Sequence, residues 1–167
     1  GNVGRLVGQK GKALGMNVIA YDPFVADDSV FEADGVEKIA TIEELYRRAD
    51  FLSLHIPATP QTKGSIGYDL ITSMPQGATL VNTARKEVID EAGLCKALAE
   101  RDDIKYVSDV APDCCADLCS CVGMRYFATP KKMGAETAEA NINAGLAAAR
   151  QIVDFFATGN RRFQVNK

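Results

Sequence analysis

Residues 1–24 read GNVGRLVGQKGKALGMNVIAYDPF. Gly1 and Gly4 stand three apart at the mouth of a helix predicted from about Val3 to Leu14. Its apolar positions Val3, Leu6, Val7, Ala13 and Leu14 are expected on the inner face. Gly15 stops it, as a residue tolerant of positive φ. An apolar strand from Asn17 to Tyr21 follows and ends in Asp22. Glycines at a helix mouth let the backbone approach a pyrophosphate, to which the first turn offers free N–H groups and partial positive charge. Gly1, Asn2, Val3 and Gly4 are the residues placed for that contact. Asp22, eighteen residues past Gly4, can accept hydrogen bonds from a ribose diol. A carboxylate there favours NAD over NADP, because a 2′-phosphate would meet like charge. The pattern starts at its second glycine, so the strand that precedes such a turn is expected outside the chain.

Working outward, strand and helix signals alternate. Residues 26–40 read as a polar connection that ends in a short apolar stretch around Val36–Ile39, a possible third strand. Thr41 and Glu44 form a capping box for a helix running to Arg48. Phe51–His55 is a buried strand, broken by Pro57 and Pro60. A helix near Tyr68–Ser73, a turn at Pro75-Gln76-Gly77 and a strand Ala78–Asn82 come next. Ile89–Glu100 is predicted helical with Leu94, Ala97 and Leu98 inward. Lys105–Val110 and Tyr126–Thr129 are further strands. Ala135–Ala157 is a long alanine-rich helix stopped near Gly159, and the tail after it is expected to be extended. This alternation argues an α/β Rossmann-type fold, a doubly wound parallel sheet lacking its first strand, with a long C-terminal helix. In such sheets ligands bind at the C-terminal ends of the strands.

The composition fits that class. The chain has 167 residues, 47% apolar and 25% charged, enough for one domain with a core. A net charge of −3 gives no footprint for nucleic acid. No apolar run reaches membrane-spanning length and no signal peptide is visible. Five cysteines beside one histidine point to a reducing, cytoplasmic setting. Four of the cysteines crowd into CCADLCSC at 114–121, too compact for a structural zinc site, so no metal is expected and a variable loop or short helix is.

Four motifs sit at the predicted strand ends: YDP at 21–23, LHIPATPQTKG at 54–64, LVNTARKEVIDE at 80–91 and TPKKMGAETAEA at 129–140. In this order they resemble the D-isomer-specific 2-hydroxyacid dehydrogenases, most of all the branch that oxidises 3-phospho-D-glycerate to 3-phosphohydroxypyruvate on the way to serine. The resemblance implies NAD as cofactor, a small 2-hydroxy acid as substrate and a homodimer for the whole protein. It also implies a substrate domain outside this chain, so residues 1–167 alone are expected to turn over little or nothing. The last helix and tail, from about residue 135, are expected to pack towards that domain. The small residues Ala138, Asn141, Gly145 and Ala149 suit close packing within one domain or against a second subunit.

The residues divide by role. Arg85 can clamp a carboxylate bidentately and polarise the developing carbonyl, and the resemblance assigns it that part. His55, the single histidine, is assigned with Ile56, Pro57 and Thr62 to the cofactor side rather than to proton transfer. Asn82, Thr83, Ala84 and Gly134 are likewise assigned to the cofactor, and Asp109 to the nicotinamide carboxamide. Where the family places a catalytic histidine, this chain has Lys131 and Lys132. Counting forward from Thr-Pro picks Lys131, and counting back from Gly-Ala picks Lys132. A lysine serves as base only if its pKa falls from about 10.4, which burial or a neighbouring ammonium achieves. The family's orienting glutamate has no clean match, and Asp113 is the nearest carboxylate. Two other readings keep the fold: an NAD-sensing corepressor-like protein, and a dehydrogenase of glycerate or another small hydroxyacid.

Overall fold

The computed structural model describes residues 1–130 and 137–164. They form two compact units that divide after Lys131.

The first unit opens with α1 (Asn2–Ala13), which ends at Gly15 with φ +84°. Its contact face is a glycine stripe. A Cβ on Gly8 would lie 3.5 Å from Val36, and one on Gly11 3.2 Å from Val18, so α1 rests close against the chain leading into β1 (Ile19–Ala20) and β2 (Glu37–Lys38). This corrects the face expected from the sequence. Val3, Leu6, Val7 and Leu14 are 42–82% exposed, and α1 buries no residue among those described. The absent side chains of Gly4, Gly8 and Gly11, spaced i, i+4, i+7, define the close-packing side instead.

The polar connection contains a short helix the periodicity did not reveal, α2 (Ser29–Ala33), anchored by buried Phe31. Asp34 just beyond it accepts from Arg5 Nε at 2.6 Å and Gln9 Nε2 at 2.7 Å, which fastens α2 to α1.

Helix α3 (Ile42–Arg48) is capped as predicted, Glu44 N–H donating to Thr41 Oγ1 at 3.2 Å. The main sheet follows: β3 (Phe51–Leu54), β4 (Thr79–Asn82), β5 (Lys105–Ser108) and β6 (Tyr126–Ala128), all parallel and in that order. β1 and β2 pair in parallel with each other as a separate sheet.

Helices α4 (Tyr68–Thr72), α5 (Glu91–Glu100) and α6 (Cys115–Val122) complete the unit. The helix expected from Ile89 instead begins at Glu91, after a 3₁₀ turn at Lys86–Val88 whose Val88 is fully buried. Leu94, Ala97 and Leu98 of α5 are buried as predicted and share one core with Tyr46, Leu54, Ile71, Leu80, Ile104, Tyr106 and Leu118. Burying such side chains contributes about 1.5–3 kcal/mol each. α4 and α5 approach so closely that a Cβ on Gly93 would lie 2.7 Å from the Tyr68 nitrogen. At the other end of the helix layer, Arg101 donates to the carbonyls of Thr72, Met74 and Pro75 and pairs with Asp103 at 2.7 Å.

The second unit is α7 (Ala138–Thr158), capped by the Thr137 hydroxyl and closed by Gly159 at φ +72°. Its Ile142, Leu146, Val153 and Phe156 are exposed. In the described part of the tail Gln164 N–H donates to Arg161 O, a turn where extended chain is predicted.

Candidate functional site

The parallel register of the main sheet sets the site. Leu54 pairs with Asn82, and Asn82 with Ser108, so the next residues, His55, Thr83 and Asp109, leave three adjacent strands at one level. This is the C-terminal edge, where open α/β sheets take ligands.

One side of the candidate site is built by α1 and β1. The N-cap of α1 is Gly1, which supplies no side-chain cap, and the first turn carries no acidic residue. Its leading N–H groups therefore keep their capacity for an anion. Gly1 N, at the helix mouth, lies 3.5 Å from Asp22 Oδ2. Asp22 Oδ1 accepts from Phe24 N–H at 3.0 Å, a local turn that fixes the carboxylate while leaving it 28% exposed.

His55 faces the start of α1. Its ring lies 3.6 Å from where a Gly4 Cβ would stand, an ordinary packing distance that sets His55 against the first turn of α1. Burial holds the His55 pKa below the ordinary imidazole value. Its Nε2 is buried without a hydrogen-bond partner among the described residues. An orphaned nitrogen at the cofactor edge, beside an uncapped helix mouth and a ribose-height carboxylate, fits a dinucleotide.

The loop after β3 holds itself together. Thr62 Oγ1 donates to Pro57 O at 2.6 Å and accepts from Thr59 N–H at 2.8 Å, so Thr62 shapes the HIPAT loop. Ile56 is half-buried and Pro57 exposed. Asn82 does similar work after β4. Its Nδ2 donates to Arg85 O at 3.0 Å and its Oδ1 accepts from Ala84 N–H at 3.0 Å. Thr83 and Arg85 are thereby presented outward, Arg85 exposed with its guanidinium donating to Ala84 O at 2.8 Å.

After β5, the Asp109 backbone is fixed from both sides. Its N–H donates to Asn82 O at 3.3 Å, and its carbonyl accepts from Thr129 Oγ1 at 2.7 Å. Thr129 opens the TPKK motif and also donates its N–H to Ser108 O at 3.1 Å. Lys131, Lys132 and Gly134 lie outside the described residues.

Asp113 is exposed and pairs with Lys86 Nζ at 2.6 Å. That contact, first through the hydrogen bond itself, raises the Lys86 pKa. Sequence reasoning missed Glu91. Its two carboxylate oxygens accept from Asp113 N–H at 2.9 Å and Cys114 N–H at 2.8 Å, pinning the loop after β5 to the start of α5. The signal was present as an acidic residue in the first turn of a predicted helix, but its partners are 22 and 23 residues away. Among the described residues no group of three or more His, Cys, Asp or Glu could hold a metal ion.

Comparison with known proteins agrees with this geometry. Residues 1–121 match the model of the D-isomer specific 2-hydroxyacid dehydrogenase NAD binding domain. The chain is 46% identical over 100 residues to a D-3-phosphoglycerate dehydrogenase of Methanocaldococcus jannaschii, covering 60% of this chain and 19% of that enzyme. A glycerate dehydrogenase of Methylorubrum extorquens is 37% identical over 100 residues, covering 60% of this chain and 29% of that enzyme. The NAD+-bound crystal structure of 3-phosphoglycerate dehydrogenase from Entamoeba histolytica superposes with a TM-score of 0.83 at 47% identity, over 100% of this chain and 52% of that one. The chain therefore spans less than a third of the first two relatives and about half of the third. Its fold, its strand-edge site and these matches place it, as an NAD-binding domain, in the D-isomer specific 2-hydroxyacid dehydrogenase family.

Proposed function

We propose that the whole protein oxidises 3-phospho-D-glycerate to 3-phosphohydroxypyruvate with NAD, and that it does so as a cytoplasmic homodimer. The observation that carries this reading is the common level at which His55, Thr83 and Asp109 leave the main sheet, with the uncapped α1 packed on His55 and Arg85 exposed after β4. The phosphoglycerate dehydrogenases among its relatives supply the substrate.

The cofactor, when bound, supplies the hydride acceptor. Arg85 holds the substrate carboxylate and polarises the C2 oxygen. The hydroxyl proton passes to the Nζ of Lys131 or Lys132, which must be neutral to receive it, so one ammonium beside the other lowers the pKa that matters. Asp109 positions the nicotinamide carboxamide. Asp113 serves as a carboxylate partner in the same cleft, and Glu91 and Lys86 steady the loop that carries it.

Kinetics of the whole protein on a panel of 2-hydroxy and 2-oxo acids, with NAD and NADP, test the reading. Phosphoglycerate is expected to give the highest kcat/KM. Arg85→Gln is expected to lower that value on the order of a hundredfold or more, since a donor aimed at developing charge contributes that much. An Arg85→Gln enzyme with unchanged kcat/KM would remove Arg85 from the mechanism. A glycerate-preferring profile would favour the second reading, which the similarity to a glycerate dehydrogenase supports.

A further inference from the structure

Helix α6 sets two thiols on one face of a single turn. Cys115 and Cys119 are four residues apart, and their sulfurs lie 3.9 Å from each other. The pairing follows from helix geometry, which stacks residues i and i+4. Cys119 is exposed and Cys115 half-buried. The neighbouring thiols differ. Burial first, then the hydrogen bond with Cys95 of α5, push the Cys114 pKa well up; desolvation and then the Cys115 contact raise that of Cys119 too, so it is exposure that sets Cys119 apart. Cys121 is exposed, and its sulfur has the Ser120 hydroxyl as neighbour at 3.6 Å. All five cysteines are free thiols.

We propose that Cys115 and Cys119 form a modification site, a dithiol that low-molecular-weight disulfides of the glutathione class oxidise reversibly to a disulfide within α6. The exposed Cys119 thiolate attacks one sulfur of the oxidant, forming a mixed disulfide and releasing one small thiol. The Cys115 thiolate then attacks the Cys119 sulfur, forming the protein disulfide and releasing the second small thiol. The protein loses two electrons and two protons, and the oxidant gains both.

Geometry gives this bond its character. Cα atoms four apart on a helix are about 6 Å from each other, inside the range a disulfide spans. The matching Cβ atoms are about 5–6 Å apart, more than the roughly 4 Å of a relaxed disulfide. Closure therefore tightens the first turn of α6, the turn whose N–H groups lack intrahelical partners. The resulting strain makes the bond easily reduced, the property of a switch and not of a staple. The site is also well placed to be felt. The N–H groups of Asp113 and Cys114, just before this turn, are the ones Glu91 holds, and Asp113 grips Lys86 beside Arg85.

The test treats the whole protein with oxidised glutathione, alkylates the remaining thiols and maps the digest by mass spectrometry. The peptide carrying Cys114 to Cys121 is expected to lose two hydrogens, with Cys115 and Cys119 protected, and to recover fully on reduction. Cys115→Ser is expected to accumulate a glutathione adduct at Cys119 instead, while Cys121→Ser still closes the bond. Alkylation of all four cysteines after oxidation would overturn the proposal. So would a two-hydrogen loss that survives in Cys115→Ser or vanishes in Cys121→Ser.

Discussion

Gly93 shows how much a single missing side chain can matter here. A Cβ at this position would lie 2.5 Å from Asp90 Oδ2 and 2.7 Å from the Tyr68 nitrogen, and the second of these is backbone that cannot swing away. Gly93→Ala is therefore expected to destabilise the protein by about 1–3 kcal/mol despite alanine's better helix propensity, as overpacking does. Urea denaturation checks it, and an unchanged or raised midpoint would refute the close approach. Asp103 offers a second test. The Arg101 guanidinium, and then the Gly77 N–H, hold its carboxyl well below the usual range. Unfolded, that group titrates near about 3.9. The stabilisation is thus complete above that pH and fades as pH falls through the lower folded value. Acid unfolding of the wild type is expected to steepen below about pH 4 relative to Asp103→Asn; parallel curves would contradict the pairing. At this scale Asp22, Arg85 and Asp109 were legible as residues at the ends of predicted strands. Glu91 was not, because an N-terminal glutamate looks alike whether it faces water or two distant N–H groups.

Among the elements, α3 followed its sequence closely, because its signals are local. Thr41 caps the helix through the Glu44 N–H, so Thr41→Ala is expected to cost about 1 kcal/mol, read as a lowered melting temperature with unchanged cofactor affinity. The helix that went unseen, α2, has five residues and one buried apolar side chain, too little for a period to register. α1 misled for the opposite reason. Its apolar stripe was clear, but in the described residues the helix docks by Gly4, Gly8 and Gly11, which a hydrophobicity pattern scores as blank. The start of α5 moved from Ile89 to Glu91 because Val88 and Ile89 are buried from a 3₁₀ turn and the strand-like bridge that follows it, Ile66 pairing with Ile89.

Across the whole molecule, function rests on register. Parallel pairing of β3, β4 and β5 brings His55, Thr83 and Asp109, from motifs far apart in sequence, to a common level, and Thr129 is bonded to the same edge. The sequence named the motifs but could not supply their heights, since register depends on which strands pair. At this scale the proposal makes Asp22 the residue on which cofactor preference turns. Asp22→Asn is expected to raise NADP affinity relative to NAD by about tenfold or more, because a like-charge contact costs several kcal/mol; titration calorimetry of the whole protein with both cofactors would show it. The most direct test of the account is a structure of the whole protein with NAD bound. The diphosphate is predicted within hydrogen-bond reach of the N–H groups of Asn2, Val3 and Gly4, with the adenine-side ribose hydroxyls on the Asp22 carboxylate. A diphosphate seated away from the α1 mouth, or a ribose out of reach of Asp22, would contradict it.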